Sequence, residues 1–260
     1  WKSDGSAPGT VEVLPGVTAS GFTVYQDHIY FTTADGFMRT NGEPGNIELV
    51  QSVYVSPVAI AQMNGILYFL ANTSDAAGPL FELYRSDGSQ AGTQLIQSWR
   101  YSNLIGNFTS ELAVINDRLV FQCPFEAGRS LCASDGTPGG TGILKQIGSP
   151  ELTFARDFTR LQDQLFFVSR SEAEGVELWV TDGTPEHTHI LSDLYPGPDP
   201  AAPNYLTVMG EALYFTALTK TPGASLAELY LWKTDGSPDG TVQVIDGKND
   251  LVKSSEIKDL

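Results

Sequence analysis

A motif of about ten residues recurs along the chain and constrains its fold more than any other feature of the sequence. Two of the fullest copies begin Trp-x-Thr-Asp-Gly and end in Thr, at residues 179–188 and 232–241. Most spacings between successive copies are close to 47 residues, within a range of 37 to 53. A repeat of this length predicts an array of similar supersecondary units. The anchoring Asp or Asn lies at Asp4, Asn41, Asp87, Asp135, Asp182 and Asp235.

Each repeat also carries a hairpin signature upstream of the motif. Two short runs of β-branched and aromatic residues are joined by pairs such as Asn-Gly, Asn-Asp or Gln-Asp, as at residues 59–69 and 22–31. Such runs predict a β-hairpin. One unit therefore consists of four strands, A to D, and no segment has the sustained 3.6-residue period of a helix. In the last unit we predict these strands at 205–209, 212–216, 228–234 and 241–245.

Strands B and C are apolar on both faces, which indicates sheets that are covered on both sides. In strand C of the fourth unit, Leu178 and Val180 point one way and Trp179 the other. A solvated antiparallel sheet would alternate apolar with polar residues. The sequence therefore predicts an all-β protein, a β-propeller of four-stranded antiparallel blades. The alternative is an open β-solenoid, whose repeats are usually shorter. Five complete blades are predicted at about 22–50, 57–97, 110–147, 156–193 and 204–246.

The two ends of the chain predict a partial sixth blade. Residues 1–14 supply only strands C and D of a further unit. Closure by the chain ends would need strands A and B from the C-terminal tail, where Ile257 to Leu260 falls at the expected start of strand A. We therefore expect residues 1–260 to form a single propeller domain that is a fragment of a longer polypeptide.

The repeat resembles the bacterial ELWxxDGT family, whose unit ends in Glu-Leu-Trp-x-x-Asp-Gly-Thr-x-x-Gly-Thr. Residues Glu177 to Thr184 match the first eight positions, Thr188 keeps the final Thr, and His187 replaces the last Gly. The resemblance covers nearly the whole chain. It implies a propeller within a large secreted or surface protein, with no catalytic residues to carry over.

Charge and hydropathy exclude several classes of function. The formal net charge is −16, with 15 basic and 31 acidic residues. Nucleic-acid binding needs clustered Lys and Arg, and docking on anionic membranes also needs positive charge. No apolar run approaches the roughly 18 residues of a spanning helix. We therefore expect neither nucleic-acid binding nor membrane insertion.

The repeated Asp-Gly pairs and Trp residues have a structural and a functional interpretation. Calcium loops gather several oxygen ligands within about a dozen residues, whereas each copy here offers one Asp before Gly and Ser or Thr. That pattern is typical of turns. Trp1, Trp179 and Trp232 share one position, which favours packing between blades over platforms for sugars. We predict no catalytic residue, metal site or cofactor.

The two cysteines predict a disulfide. Cys123 and Cys132 fall on adjacent strands B and C of one blade, and cross-strand neighbours can meet disulfide geometry. A bridge would imply an oxidising compartment. We therefore expect an extracellular or cell-surface protein.

Binding is expected at the end of the blades that carries the B–C and D–A connections, because these vary in length while the A–B and C–D turns are nearly uniform. The segment Ser98 to Asn103 contains Trp99, Arg100 and Tyr101, and the next long connection, 193–204, contains Tyr195. Exposed aromatic and Arg side chains are favoured binding anchors. The alternative for Trp99 to Tyr101 is a packed loop.

These features together predict a non-enzymatic extracellular module for interaction or adhesion, or a structural component of a surface assembly, with glycans among its candidate ligands. Its partners would be other surface or matrix proteins. The alternative is a carbohydrate-active enzyme, a glycosidase or lyase, with paired carboxylates at the mouth of the propeller channel.

Overall fold

The structure is a computed structural model that describes residues 1–101, 110–125, 128–147, 154–219, 227–246 and 250–253, without the side chains of 54–58 and 125. These residues form twenty β-strands and no helix. The strands are β1 (Ser20–Tyr25), β2 (His28–Thr33), β3 (Gly36–Thr40), β4 (Glu48–Gln51), β5 (Tyr54–Met63), β6 (Ile66–Asp75), β7 (Gly78–Ser86), β8 (Gln94–Arg100), β9 (Leu112–Ile115), β10 (Arg118–Phe125), β11 (Gly128–Ser134), β12 (Thr141–Lys145), β13 (Ala155–Leu161), β14 (Gln164–Ser171), β15 (Gly175–Thr181), β16 (His189–Ser192), β17 (Asn204–Met209), β18 (Ala212–Thr219), β19 (Glu228–Thr234) and β20 (Val242–Gln243).

The strands form five four-stranded sheets, each paired in chain order. We number them 1 to 5, from β1–β4 to β17–β20, and their four strands are the predicted A, B, C and D. The fold class is therefore confirmed: five complete antiparallel blade units of the propeller type. The A–B turns are tight because their residues, among them Gln26, Asn64 and Gln162, adopt positive φ angles.

The described residues near the two chain ends pair with nearby parts of the chain. Lys2 and Val11 form an antiparallel bridge, which is the C–D turn of the predicted additional unit. At the other end, Val252 accepts a hydrogen bond from the Leu231 amide and donates one to the Val244 carbonyl, both at 2.9 Å. The tail thus pairs with sheet 5. Residues 254–260, including the strand predicted at 257–260, lie outside the described residues, and closure by the chain ends stays a prediction.

Contacts divide the chain into two compact units, residues 1–119 with 134–141, and residues 120–133 with 142–260. In the first unit, sheets 1 and 2 bury Tyr30 and Phe37 against Leu67 and Phe69, and the Phe37 and Phe69 rings are 4.8 Å apart. Full burial of one such side chain contributes about 1.5–3 kcal/mol. Sheets that are apolar on both faces pack as the sequence predicts. The prediction of one domain for residues 1–260 stays a prediction.

The second unit repeats this packing between sheets 4 and 5. Phe166 and Leu178 from sheet 4 lie in one cluster with Leu213, Phe215 and Ala217 from sheet 5, and all five are at most 2% exposed. The same strand B and strand C positions therefore build the core in both units.

The Asp-Gly motif folds into a turn in which each polar side chain has a partner. The Asp87 carboxylate accepts the Ser89 amide at 2.9 Å and the Ser89 hydroxyl at 2.7 Å, and these bonds hold the pKa of Asp87 below its usual value. The Ser86 hydroxyl accepts the Gly88 amide, and the Thr93 hydroxyl donates to the Ser89 carbonyl. Equivalent carboxylate bonds recur at Asp4, Asp135, Asp182 and Asp235. The turn interpretation is confirmed.

The last Gly of the motif is required by the same carboxylate. A Cβ atom added at Gly92 or Gly140 would overlap the Asp87 or Asp135 side chain. The copy in sheet 4 has His187 at this position, and its Nδ1 lies 2.8 Å from a carboxylate oxygen of Asp182. This departure from the motif therefore replaces close packing by a polar contact.

Two of the three repeated Trp residues are packed, each on a Phe of strand B in its own sheet, and the predicted packing between blades is seen for Trp232, which also lies against the cluster of sheets 4 and 5. Trp179 is 7% exposed and stacks on Phe167, and Trp232 stacks on Phe215. Trp1 is 82% exposed, so for it the packing prediction is wrong. The stacking partner of the other two lies on strand B, and residues 1–14 supply no strand B to their own unit.

Candidate binding face

The B–C and D–A connections of each sheet lie at the same end of that sheet, because consecutive strands are antiparallel. We call this end the variable end. On sheet 2 it includes the B–C turn after β6 and the end of β8. After sheet 4 it includes residues 193–203.

Trp99 and Arg100 belong to a strand, so their predicted place in a connection is wrong. Strands β7 and β8 continue to pair beyond the expected end, with Phe81 opposite Trp99 and Leu80 opposite Arg100. The Trp99 ring is partly buried and tilted against Phe81, with the centroids 6.2 Å apart. Ser102 and Asn103 lie outside the described residues.

Arg100 ties the end of β8 to the B–C turn of the same sheet. Its two terminal nitrogens donate to the two carboxylate oxygens of Asp75, at 2.9 and 2.7 Å. The bonds from Arg100 lower the pKa of Asp75 to about 2. Both side chains remain nearly half exposed. The pair therefore presents an oriented, charged surface that a ligand can reach.

Tyr101 is an anchor rather than an exposed platform. The side chain is 7% exposed, and its hydroxyl donates to the Asn72 side-chain oxygen at 3.1 Å. The packed alternative is therefore confirmed for Tyr101.

A buried carboxylate beneath these residues was not among the predicted site residues. Glu82 on β7 is 7% exposed and accepts hydrogen bonds from the hydroxyls of Thr73 (2.9 Å), Tyr84 (2.7 Å) and Ser98 (3.2 Å). Burial, and then the bond to Glu82, raise the pKa of Tyr84. A Glu inside an otherwise apolar strand C was the signal in the sequence. The network fixes three strands of sheet 2 at the variable end.

In the second unit, Glu177 occupies the same strand C position as Glu82. It is fully buried and accepts the amides of Leu194 at 3.1 Å and Ala201 at 3.4 Å. Burial raises the pKa of Glu177 to about 8. Since the two amides lie near opposite ends of the connection 193–203, one carboxyl group holds both ends of this loop. Tyr195, at the loop's start, is partly buried against the core of sheets 4 and 5.

Cys123 and Cys132 form the predicted disulfide. Their Cα atoms are 5.8 Å apart on β10 and β11, and both side chains are fully buried.

Within the described part of the chain, no three His, Cys, Asp or Glu side chains are grouped so that they could hold a metal ion. The same residues contain no helix of the length and hydropathy needed to cross a membrane.

Comparisons with known proteins find similarity only to solved structures. No family model and no curated protein sequence matches the chain. TolB from Acinetobacter baumannii is 16% identical over 85% of this chain and 53% of its own, with a TM-score of 0.47. An exo-β-1,3-galactanase from Phanerochaete chrysosporium is 9% identical over 94% of this chain and 65% of its own, with a TM-score of 0.41. The N-terminal domain of Nup159 is 12% identical over 90% and 67%, with a TM-score of 0.40.

An open apolar groove lies in the first unit, away from the variable end of sheet 2. Its volume is about 770 Å³, and it lies between residues 1–14 and sheet 1. Phe22 and Ile29, on strands A and B of sheet 1, line it and are 67% and 38% exposed. Sequence reasoning did not identify this groove, because hydrophobic residues on strands A and B are expected to be covered.

Proposed function

We propose that the chain is a non-enzymatic extracellular module that binds surface or matrix partners, glycans among them, through the variable ends of its sheets. The relationship to the ELWxxDGT family is part of this proposal. The main observation in its support is that the acidic side chains of the repeat already have hydrogen-bond partners within the protein. The motif Asp residues bond to their own turns, and Glu82 and Glu177 bond inside the protein. At the variable end of sheet 2, Arg100 and Asp75 pair with each other but remain nearly half exposed, so a ligand can reach them.

The disulfide supports an oxidising compartment and gives a first prediction. Replacing both Cys123 and Cys132 by Ala should lower the free energy of unfolding by about 2–3 kcal/mol, because the bridge closes a short loop in the unfolded chain. Urea denaturation of both forms measures this. Protein isolated from its native source and alkylated before any reduction should carry no alkyl group on Cys123 or Cys132. Labelling of both would contradict the extracellular assignment.

The binding proposal is tested with a glycan array and with chemical cross-linking of the purified chain to native cell envelope. Arg100→Ala should weaken retention of a glycan or envelope protein bound at the variable end of sheet 2 at least about tenfold, the loss expected for one binding anchor. Tyr195→Ala should have the same effect on a ligand bound at the variable end after sheet 4. Glu211→Ala, in the A–B turn at the opposite end of sheet 5, is the matched control and should bind as the wild type does.

Three outcomes would count against the proposal. The first is the absence of any bound glycan or cross-linked envelope protein, and the second is equal loss in Glu211→Ala. The third is hydrolysis or elimination of an array glycan, detected by mass spectrometry as a shortened product, which would favour the carbohydrate-active alternative.

A further inference from the structure

The groove beside sheet 1 exposes a surface that is buried wherever the repeat occurs next to a preceding sheet. Ile29 on strand B is 38% exposed. At the aligned position, Leu67 of sheet 2 and Leu213 of sheet 5 are fully buried. Leu67 lies in the cluster with sheet 1, and Leu213 lies in the cluster with sheet 4. The strand has the same residue pattern, so the exposure of Ile29 reflects the lack of a packed sheet on this side of sheet 1 among the described residues.

The first Gly of the motif turn provides a second, independent observation, because its side-chain cover differs between sheet 1 and the other sheets. At Gly88 of sheet 2, the hydroxyl of Tyr30 from strand B of sheet 1 covers the Gly and donates to its carbonyl at 3.3 Å. Tyr68, at the aligned position of sheet 2, likewise covers Gly136. In sheet 5, Gly236 is likewise met by Gln164 and Phe166 of the neighbouring strand B. Gly42 of sheet 1 has the same kind of backbone, with φ +84°, but a Cβ added there would meet no atom within 4 Å. Among the described residues, a strand B side chain is therefore what the surface around Gly42 lacks, and an aromatic ring contributes to this cover in each of the three other cases.

Residues 1–14 border the groove without filling it. They form the C–D turn, closed by the bridge between Lys2 and Val11. The Gly45 amide, which donates to the Val13 carbonyl at 2.9 Å, and the ion pair between Lys2 and Glu43 hold this turn to sheet 1. The space between them and Phe22 is where strands A and B would lie in a complete unit.

We propose that this groove binds an A–B β-hairpin from another repeat of the same type, with the Tyr or Phe of its strand B placed over Gly42 and its apolar side chains on Ile29 and Phe22. A second copy of the described chain is not the occupant, because the copy's own hairpins are already paired within complete sheets. The inference concerns a different surface from the variable end, so it does not depend on the proposed binding function.

The test uses the purified chain and a synthetic peptide with the sequence of residues 204–219, the β17–β18 hairpin, whose Tyr214 aligns with Tyr30 and Tyr68. Isothermal titration should show saturable binding of one peptide per chain, in the micromolar range that a small, flexible apolar ligand reaches (about 10–100 µM). The peptide variant Tyr214→Ala should bind at least about tenfold more weakly.

Protein variants separate this groove from other apolar surface. Ile29→Glu should remove detectable binding, because a charged side chain would have to be buried. Leu95→Glu, at an apolar residue of β8 that is 48% exposed, should leave the affinity unchanged. Circular dichroism melting, with no large change in either variant, shows that both remain folded.

Absence of saturable binding up to 1 mM peptide would overturn the proposal, as would equal binding to Ile29→Glu and the wild type. A concentration-dependent dimer in sedimentation velocity, dissociated by Ile29→Glu, would also overturn it, since the groove would then bind a second copy.

Discussion

Replacement of Gly88 by Ala should destabilise the protein by about 2–4 kcal/mol, because backbone strain and a steric clash act together at this position. Gly88 has a φ of +95°, which strains any residue with a Cβ atom. The added Cβ would also overlap the Tyr30 hydroxyl and lie 3.2 Å from Tyr30 Cζ. Tyr30 is only 1% exposed and cannot move away without disturbing the core between sheets 1 and 2. Urea denaturation measures the loss.

The chain contains a matched control that separates backbone strain from the steric clash. Gly42→Ala imposes nearly the same φ, +84°, at the same motif position, with no atom near the new methyl group. This variant should lower the free energy of unfolding only through backbone strain, by about 1 kcal/mol. If Gly88→Ala and Gly42→Ala lower the free energy of unfolding equally, the clash with Tyr30 does not contribute. In the double variant Tyr30→Phe with Gly88→Ala, removal of the hydroxyl should restore part of the stability.

The local elements could be predicted because their chemistry lies within a few residues. The A–B hairpins follow from turn residues that tolerate positive φ, such as Asn64 in sheet 2. The motif turn follows from an Asp that bonds to the residue two positions later, as Asp87 does with Ser89. Repetition strengthened both predictions, because the same local pattern recurred in each unit.

Features that depend on partners distant in the sequence could not be predicted in this way. The length of β8 is set by pairing with β7, which extends the strand to Arg100. The burial of Tyr101 depends on Asn72, 29 residues earlier. Trp1 carries the sequence of a packed Trp but is exposed, because packing needs a neighbouring strand and not only the right residue. The sequence therefore placed Trp99 to Tyr101 near the variable end of sheet 2, but it did not predict how exposed each of these side chains is.

Glu177 should make the stability of the protein fall as the pH rises from about 5 to 8. Burial raises the pKa of this carboxyl group to about 8 in the folded protein, whereas in the unfolded chain it has the ordinary value of 4.5. Between these values the folded state holds a proton that the unfolded state has lost, so each unit of rising pH lowers the free energy of unfolding by about 1.4 kcal/mol. The contribution is fully present below pH 4.5 and is lost as the pH passes through 8.

Glu177→Gln keeps the shape of the side chain and removes its titration. Urea denaturation at pH 6, 7, 8 and 9 should therefore show the wild type losing stability relative to Glu177→Gln, by about 2 kcal/mol between pH 6 and pH 8. Glu211→Gln, which alters an exposed carboxyl group in the β17–β18 turn, is the control and should follow the wild type. If the free energies of unfolding of the wild type and Glu177→Gln change with pH in the same way, burial does not raise the pKa of Glu177.

Glu177→Ala tests the other role of this residue, the anchoring of the connection 193–203. Without the carboxyl group, the amides of Leu194 and Ala201 lose a buried acceptor, and a cavity is left at a fully buried position. The expected loss is about 3–5 kcal/mol at pH 6, well beyond that of Glu177→Gln. Hydrogen exchange should increase at residues 194 and 201 in the Ala variant and not in the Gln variant. If exchange there is unchanged, the loop is held by its other contacts, and the variable end after sheet 4 does not depend on this buried acid.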